Sequence, residues 1–108
     1  MGYYTYFTLT HLSGPKEDYD KLLKDIEEEA GLDLTYGEEA KWYDCTEDCA
    51  KISKRYPNVL FQLDGRGEEA GDVWSERFLN GEWERVEVEM PPFQKLLTEQ
   101  EKQKSKKK

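Results

Sequence analysis

A chain of 108 residues with 24 acidic against 16 basic side chains carries a net charge of −8 and an isoelectric point near 4.7. This length fits a single domain and excludes a two-domain enzyme with an interdomain cleft. Charged residues make up 37% and apolar residues 36%, a balance bordering on disorder, but 14 aromatic side chains supply the large rigid surfaces that a small core needs.

The first predicted element is a strand, Tyr3 to His11, built of aromatic and β-branched residues and closed by Ser13-Gly14-Pro15. Its face Tyr3, Thr5, Phe7, Leu9 and His11 is the core candidate. Pro15 then suits the first turn of a helix in which Tyr19, Leu22, Leu23, Ile26 and Ala30 form one stripe before Gly31 stops it. Residues 32–44 read mostly as loop, with Lys41-Trp42-Tyr43 as an edge-strand candidate. Asp44, with Glu47 three residues on, marks a second helix start; its stripe is Cys45, Cys49, Ile52 and Tyr56, and Pro57 ends it. Asn58–Asp64 follows as a strand with Val59, Phe61 and Leu63 on one face, leading into Gly65, Gly67 and Gly71.

Asp72–Leu79, Asn80-Gly81 and Glu82–Met90 form a hairpin signal, since Asn-Gly favours a two-residue type I′ turn that pairs Leu79 with Glu82. One hairpin face then gathers Val73, Ser75, Val86, Val88 and Met90. The other gathers Trp74, Glu76, Phe78, Trp83, Arg85, Glu87 and Glu89. With helices on the first face, the second presents aromatics among charges to solvent. Pro91-Pro92 ends the sheet. These elements predict an α+β domain over 1–93, an antiparallel sheet of about four strands with two helices on one face in the order β-α-(β)-α-β-β-β, and a flexible Lys-rich tail over 94–108.

The charge is unevenly spread. Residues 1–94 carry 22 acids against 10 bases, a balance of −12, while 95–108 carry two acids against six lysines, a balance of +4. An acidic body repels nucleic acid and anionic membranes and selects basic partners or cations. No apolar run approaches the ~18 residues of a membrane span, and the first residues lack the basic and apolar regions of a signal peptide. A cytoplasmic protein is expected.

Chemistry-bearing residues are few. His11 is a lone histidine with no nucleophile partner, which reads as structural. Cys45 and Cys49, one turn apart, supply two metal ligands at most and read as core residues. The spacing of Gly65, Gly67 and Gly71 fits no phosphate-binding fingerprint, and Glu68, Glu69 and Asp72 would repel phosphate. No catalytic residue, metal site or cofactor is implied. What remains is the acidic surface: acids recur every three or four residues on the first helix and every two on the hairpin, rows that imitate the charge spacing of a nucleic acid backbone.

Lys41-Trp-Tyr-Asp44, Ile52-Ser-Lys-Arg-Tyr-Pro57, Val59-Leu-Phe61, Gly65–Trp74 and Phe78-Leu-Asn-Gly81 together resemble the ferredoxin-like domain of small phage and plasmid proteins of the YubB type, over residues 41–81. The resemblance implies a mobile-element setting and brings no catalytic residues. The expected function is that of a small acidic phage-type protein in the cytoplasm of a bacterial host. It would bind and inhibit a basic, nucleic-acid-binding host protein by DNA mimicry, as host takeover or anti-defence, with no DNA binding by the folded body and no membrane. The contact candidates are Asp18, Asp25, Glu28 and Glu29 on the first helix and Glu82, Glu84, Glu87 and Glu89 on the hairpin. The alternative is an interaction or homodimerisation module that uses Trp74 and Trp83 on the aromatic sheet face.

Overall fold

Aromatic and β-branched alternation makes Thr5–Ser13 a strand, β1, and its inward Phe7 is 2% exposed. The Leu22/Ile26 stripe makes Lys16–Ala30 a helix, α1, which stops at Gly31; its φ of 76° is a left-handed value that glycine adopts without cost. In the computed structural model, which describes residues 4–68, 72–87 and 93–106, the chain continues through β2 (Glu38–Ala40), α2 (Cys45–Ser53), β3 (Leu60–Gly67), β4 (Val73–Leu79), β5 (Glu82–Glu87) and α3 (Glu99–Lys106). The fold is α+β. All strand pairs are antiparallel, in the order β2-β1-β3-β4-β5.

The sheet therefore has five strands rather than about four. The fifth is β2, lying between the helices where the expected order held a bracketed strand. It ends at Ala40 opposite Thr5, just before the segment Lys41–Tyr43 expected to be the edge, and Trp42 turns into the core, its ring centroid 5.4 Å from that of Phe7 in an edge-to-face arrangement. β2 and β3 both run antiparallel to β1, hence parallel to each other, with α2 as the crossover between them. Asn80 and Gly81 take φ of 50° and 85°, and Leu79 faces Glu82, as the type I′ turn requires.

Which face of the hairpin is buried is the main correction to the sequence reading. β3 brings Phe61 and Leu63 into the core, and its register with β4 sets Phe61 opposite Phe78, Leu63 opposite Glu76 and Gly65 opposite Trp74. Paired residues share a face. The helices therefore cover Trp74, Glu76 and Phe78, and the rings of Phe61 and Phe78 stack at 5.1 Å. Trp74 is 7% exposed, so the aromatic face expected to meet solvent is core. Val73, Ser75, Arg77 and Val86 look the other way, toward the outer face; Glu89, Val88 and Met90 lie outside the described residues.

Nor is the outer face bare. Residues 93–102, expected within or beside a flexible tail, lie against it. Leu96 is buried, Arg77 donates to the Leu96 carbonyl at 2.9 Å, and the Arg77 guanidinium sits 4.2 Å from the Phe93 ring centroid. Removing Arg77 from water this way is favourable only because its charge is met by acceptors, among them Glu101.

Gly65 gives this packing a sharp test. A Cβ there would stand 2.2 Å from Cζ2 of Trp74. Gly65→Ala is expected to lower stability by about 1–3 kcal/mol, read as a lower urea midpoint followed by tryptophan fluorescence; an unchanged midpoint would contradict the placement of Trp74 over Gly65.

Candidate functional site

Three groups of charged side chains stand out once the elements are in place. The first lies beneath α2. Glu76 is fully buried, accepts the Thr46 hydroxyl at 2.8 Å on both carboxylate oxygens, and pairs with Arg85 at 3.1 Å. Burial raises its pKa, and Thr46 and Arg85 pull it back down. Arg85 also lies over the Trp74 ring at 4.6 Å. Cys45 and Cys49 share this region as free, buried thiols. Burial, helped by the Glu76 charge, pushes Cys45 up to about 11, and burial pushes Cys49 well above the ordinary thiol range. A thiol held protonated is a poor nucleophile and a poor metal ligand. Among the described residues no group of three or more His, Cys, Asp or Glu has metal-binding geometry. This cluster ties α2 to β4 and β5.

The second group fastens the C-terminal strap, residues 93–102, to the outer face. Glu84 accepts the backbone N–H groups of Gln94, Lys95 and Leu96, each at 3.1 Å. Arg77 donates to Glu101 at 2.8 Å. Thr98 and Glu101 cap the start of α3 reciprocally: the Thr98 N–H donates to the Glu101 carboxylate at 2.7 Å, and the Glu101 N–H donates to the Thr98 hydroxyl at 3.3 Å. Arg77 first, then the Thr98 amide, pull Glu101 down to about 2.

The third group is the acidic end of the molecule, where β1 starts and α1 finishes. α1 closes on Glu27, Glu28 and Glu29 with no base in its last turn, although the helix dipole places partial negative charge there. Glu39 on β2 and Asp44 and Glu47 at the start of α2 are further exposed acids, whereas the end of α1 lies against the end of α2, where Arg55 meets Asp25 and Glu29. All of these except Glu29 are exposed without an ion pair among the described residues.

The expected contact residues divide sharply. Asp25 and Glu29 hold Arg55, which donates to Asp25 at 3.1 Å and also to Glu29, and Asp25 accepts the Tyr56 hydroxyl at 2.8 Å. They join the helices. Glu84 holds the strap, Glu82 pairs with Lys95 at 3.4 Å, and Glu87 pairs with Arg85 at 3.1 Å. Glu89 lies outside the described residues. Trp74 is core, whereas Trp83 is 47% exposed. Asp18 and Glu28 have no ion pair among the described residues, and they lie at opposite ends of α1. Sequence reasoning left Glu27 out of the contact candidates; the base-free last turn of α1 was its signal.

His11 is engaged structurally: its ring stacks on Tyr19 at 4.7 Å, and Nε2 lies 2.9 Å from the Gly14 carbonyl oxygen. Compared with protein-family models, with curated proteins and with solved structures, the chain matches none.

Two measurements check this geometry. The lowered Glu101 pKa means that its contribution is complete above the ordinary value of 4.5 and is lost as pH falls toward about 2. Strap resonances such as those of Phe93 and Leu96 are expected to leave their folded positions within that window, and release at neutral pH would contradict the clasp. Both thiols are expected to resist a disulfide exchange reagent at pH 8 until denaturant is added; immediate labelling would contradict their burial.

Proposed function

We infer that the protein is a non-catalytic binder that presents a carboxylate surface to a basic partner protein, in the manner of a nucleic acid mimic. The observation that carries this reading is the end of α1. Acidic side chains at a helix C-terminus each cost about 0.3–1 kcal/mol against the dipole. Here Glu27 and Glu28 stand at that end exposed, with no base in the last turn, and Arg55 offsets only Glu29 and Asp25. A basic partner would relieve this arrangement. Glu39, Asp44 and Glu47 are further exposed carboxylates that, with Asp18, contribute at a distance through the general field.

A body at −12 also steers cationic surfaces toward it over roughly a Debye length, about 8–10 Å at ordinary salt. The resemblance to YubB-type proteins supports a phage or plasmid setting, with a nucleic-acid-binding protein in the cytoplasm of a bacterial host as the partner and inhibition of that protein as the outcome. The burial of Trp74 and Phe78 weighs against an interaction module built on the aromatic sheet face, of whose three rings Trp83 alone stays exposed.

Affinity capture from host lysate, run with wild type and with the Glu27→Lys/Glu28→Lys variant, tests the reading. The expected capture is a basic nucleic-acid-binding protein, displaced by added DNA and by salt, and weakened at least tenfold, about 1.4 kcal/mol, by the double reversal. A partner held equally by the variant, or indifferent to DNA and salt, would overturn it.

A further inference from the structure

The strap covers only part of the outer face. It fastens to the rung in which Gln62 faces Arg77, and Arg77 donates to Gln62 at 2.8 Å. Two rungs nearer the start of β1 stay open among the described residues. One aligns Tyr6, Arg66 and Val73 across β1, β3 and β4, and the next aligns Thr8, Asp64 and Ser75. Together they line a cavity of about 330 Å³. That volume falls at the lower end of small-molecule sites, about 300–1,000 Å³.

The two rungs differ in chemistry. The floor is rich in acceptors: Asp64 takes hydrogen bonds from the Ser75 hydroxyl and, at 2.9 Å, from the Gln62 amide. A carboxylate offers about four lone-pair positions, so it has capacity for further donors, and Thr8 adds a hydroxyl. The wall is flat and partly apolar. Tyr6 and Val73 are 37% and 36% exposed, and the Arg66 guanidinium lies 5.7 Å from the Tyr6 ring centroid, a pairing of two planar groups. The Tyr6 hydroxyl is directed away, to the Tyr36 carbonyl at 3.2 Å. A floor that accepts and a wall that stacks together select a planar ring with N–H donors side by side along one edge. Asp64 and the acidic body disfavour an anion, and a cation would have to stack directly on the like-charged Arg66 guanidinium, which favours a neutral ring on this wall.

We propose that this cavity is a binding site for a neutral heteroaromatic ring of the guanine type, its adjacent ring N–H and exocyclic amino group donating to Asp64 while its face packs on the Arg66 guanidinium, which itself lies over Tyr6. The site lies on the face opposite α1 and α2 and does not depend on the acidic end of α1.

Guanosine is the probe, titrated into the full-length protein while amide resonances are followed, with inosine, which lacks the exocyclic amino group, in parallel. The expected result is saturable shifts centred on Thr8, Asp64, Arg66 and Ser75 with a dissociation constant of about 1 mM or tighter. Inosine should bind about tenfold or more weakly, since it leaves the carboxylate short of a donor. Asp64→Asn should lose binding to a similar degree. Because Asp64 also anchors Ser75 and Gln62, Arg66→Ala provides a second variant on an exposed side chain, expected to weaken guanosine several-fold through lost stacking. Absence of saturable shifts with guanosine, equal binding of inosine, or shifts mapping away from these rungs would overturn the proposal.

Discussion

The pairing of β3 with β4 is the constraint from which most of this structure follows. Phe61 faces Phe78 in the core, and side chains alternate strictly along a strand, so the residues between and beyond them have no freedom of side. Glu76 must then enter the core and Arg77 must leave it. Each is a charged group in an unfavourable place, and each is met by partners recruited from elsewhere: Thr46 and Arg85 for Glu76, Gln62, Leu96 and Glu101 for Arg77. Taking one member of such a set away costs more than the set contributes, because it strands a buried charge. The α2 contact and the C-terminal strap are thus two consequences of one register.

The same register shapes the surfaces. It places Asp64 beside Ser75 and Arg66 beside Val73, forming the two open rungs of the outer face, and it brings Arg85 over Trp74. On β5, Glu84 is committed to the strap, while Glu82 and Glu87, paired with Lys95 and Arg85, stay 63% and 69% exposed. A dipole-opposed run of carboxylates is a local loss of stability that the fold tolerates, partly through Arg55.

Much of this was legible in the residues. The Leu22/Ile26 stripe, Gly31, the Phe61/Leu63 alternation and Asn80-Gly81 specify α1, β3 and the hairpin turn by local chemistry alone, and the inward face of β1 was read correctly. Three features were not legible, each for a physical reason. β2 is three residues with two glutamates, a strand only because β1 offers an edge. The face of the hairpin depends on its pairing with β3, and that pairing is decided by which rings meet rather than by any pattern within the hairpin. The strap looked like a solvated tail because its lysines dominate its composition; yet Thr98 followed three residues on by Glu101 is a capping signature, and it marked the start of α3.

The alternation in β4 is most directly tested by nuclear Overhauser contacts from its side chains. The account predicts contacts from the Phe78 ring to Phe61 and from the Arg77 side chain to Phe93, with none from Arg77 to α2. A one-residue slip would exchange the two faces. Contacts from Arg77 or Ser75 to α2, with Phe78 facing the strap, would contradict it.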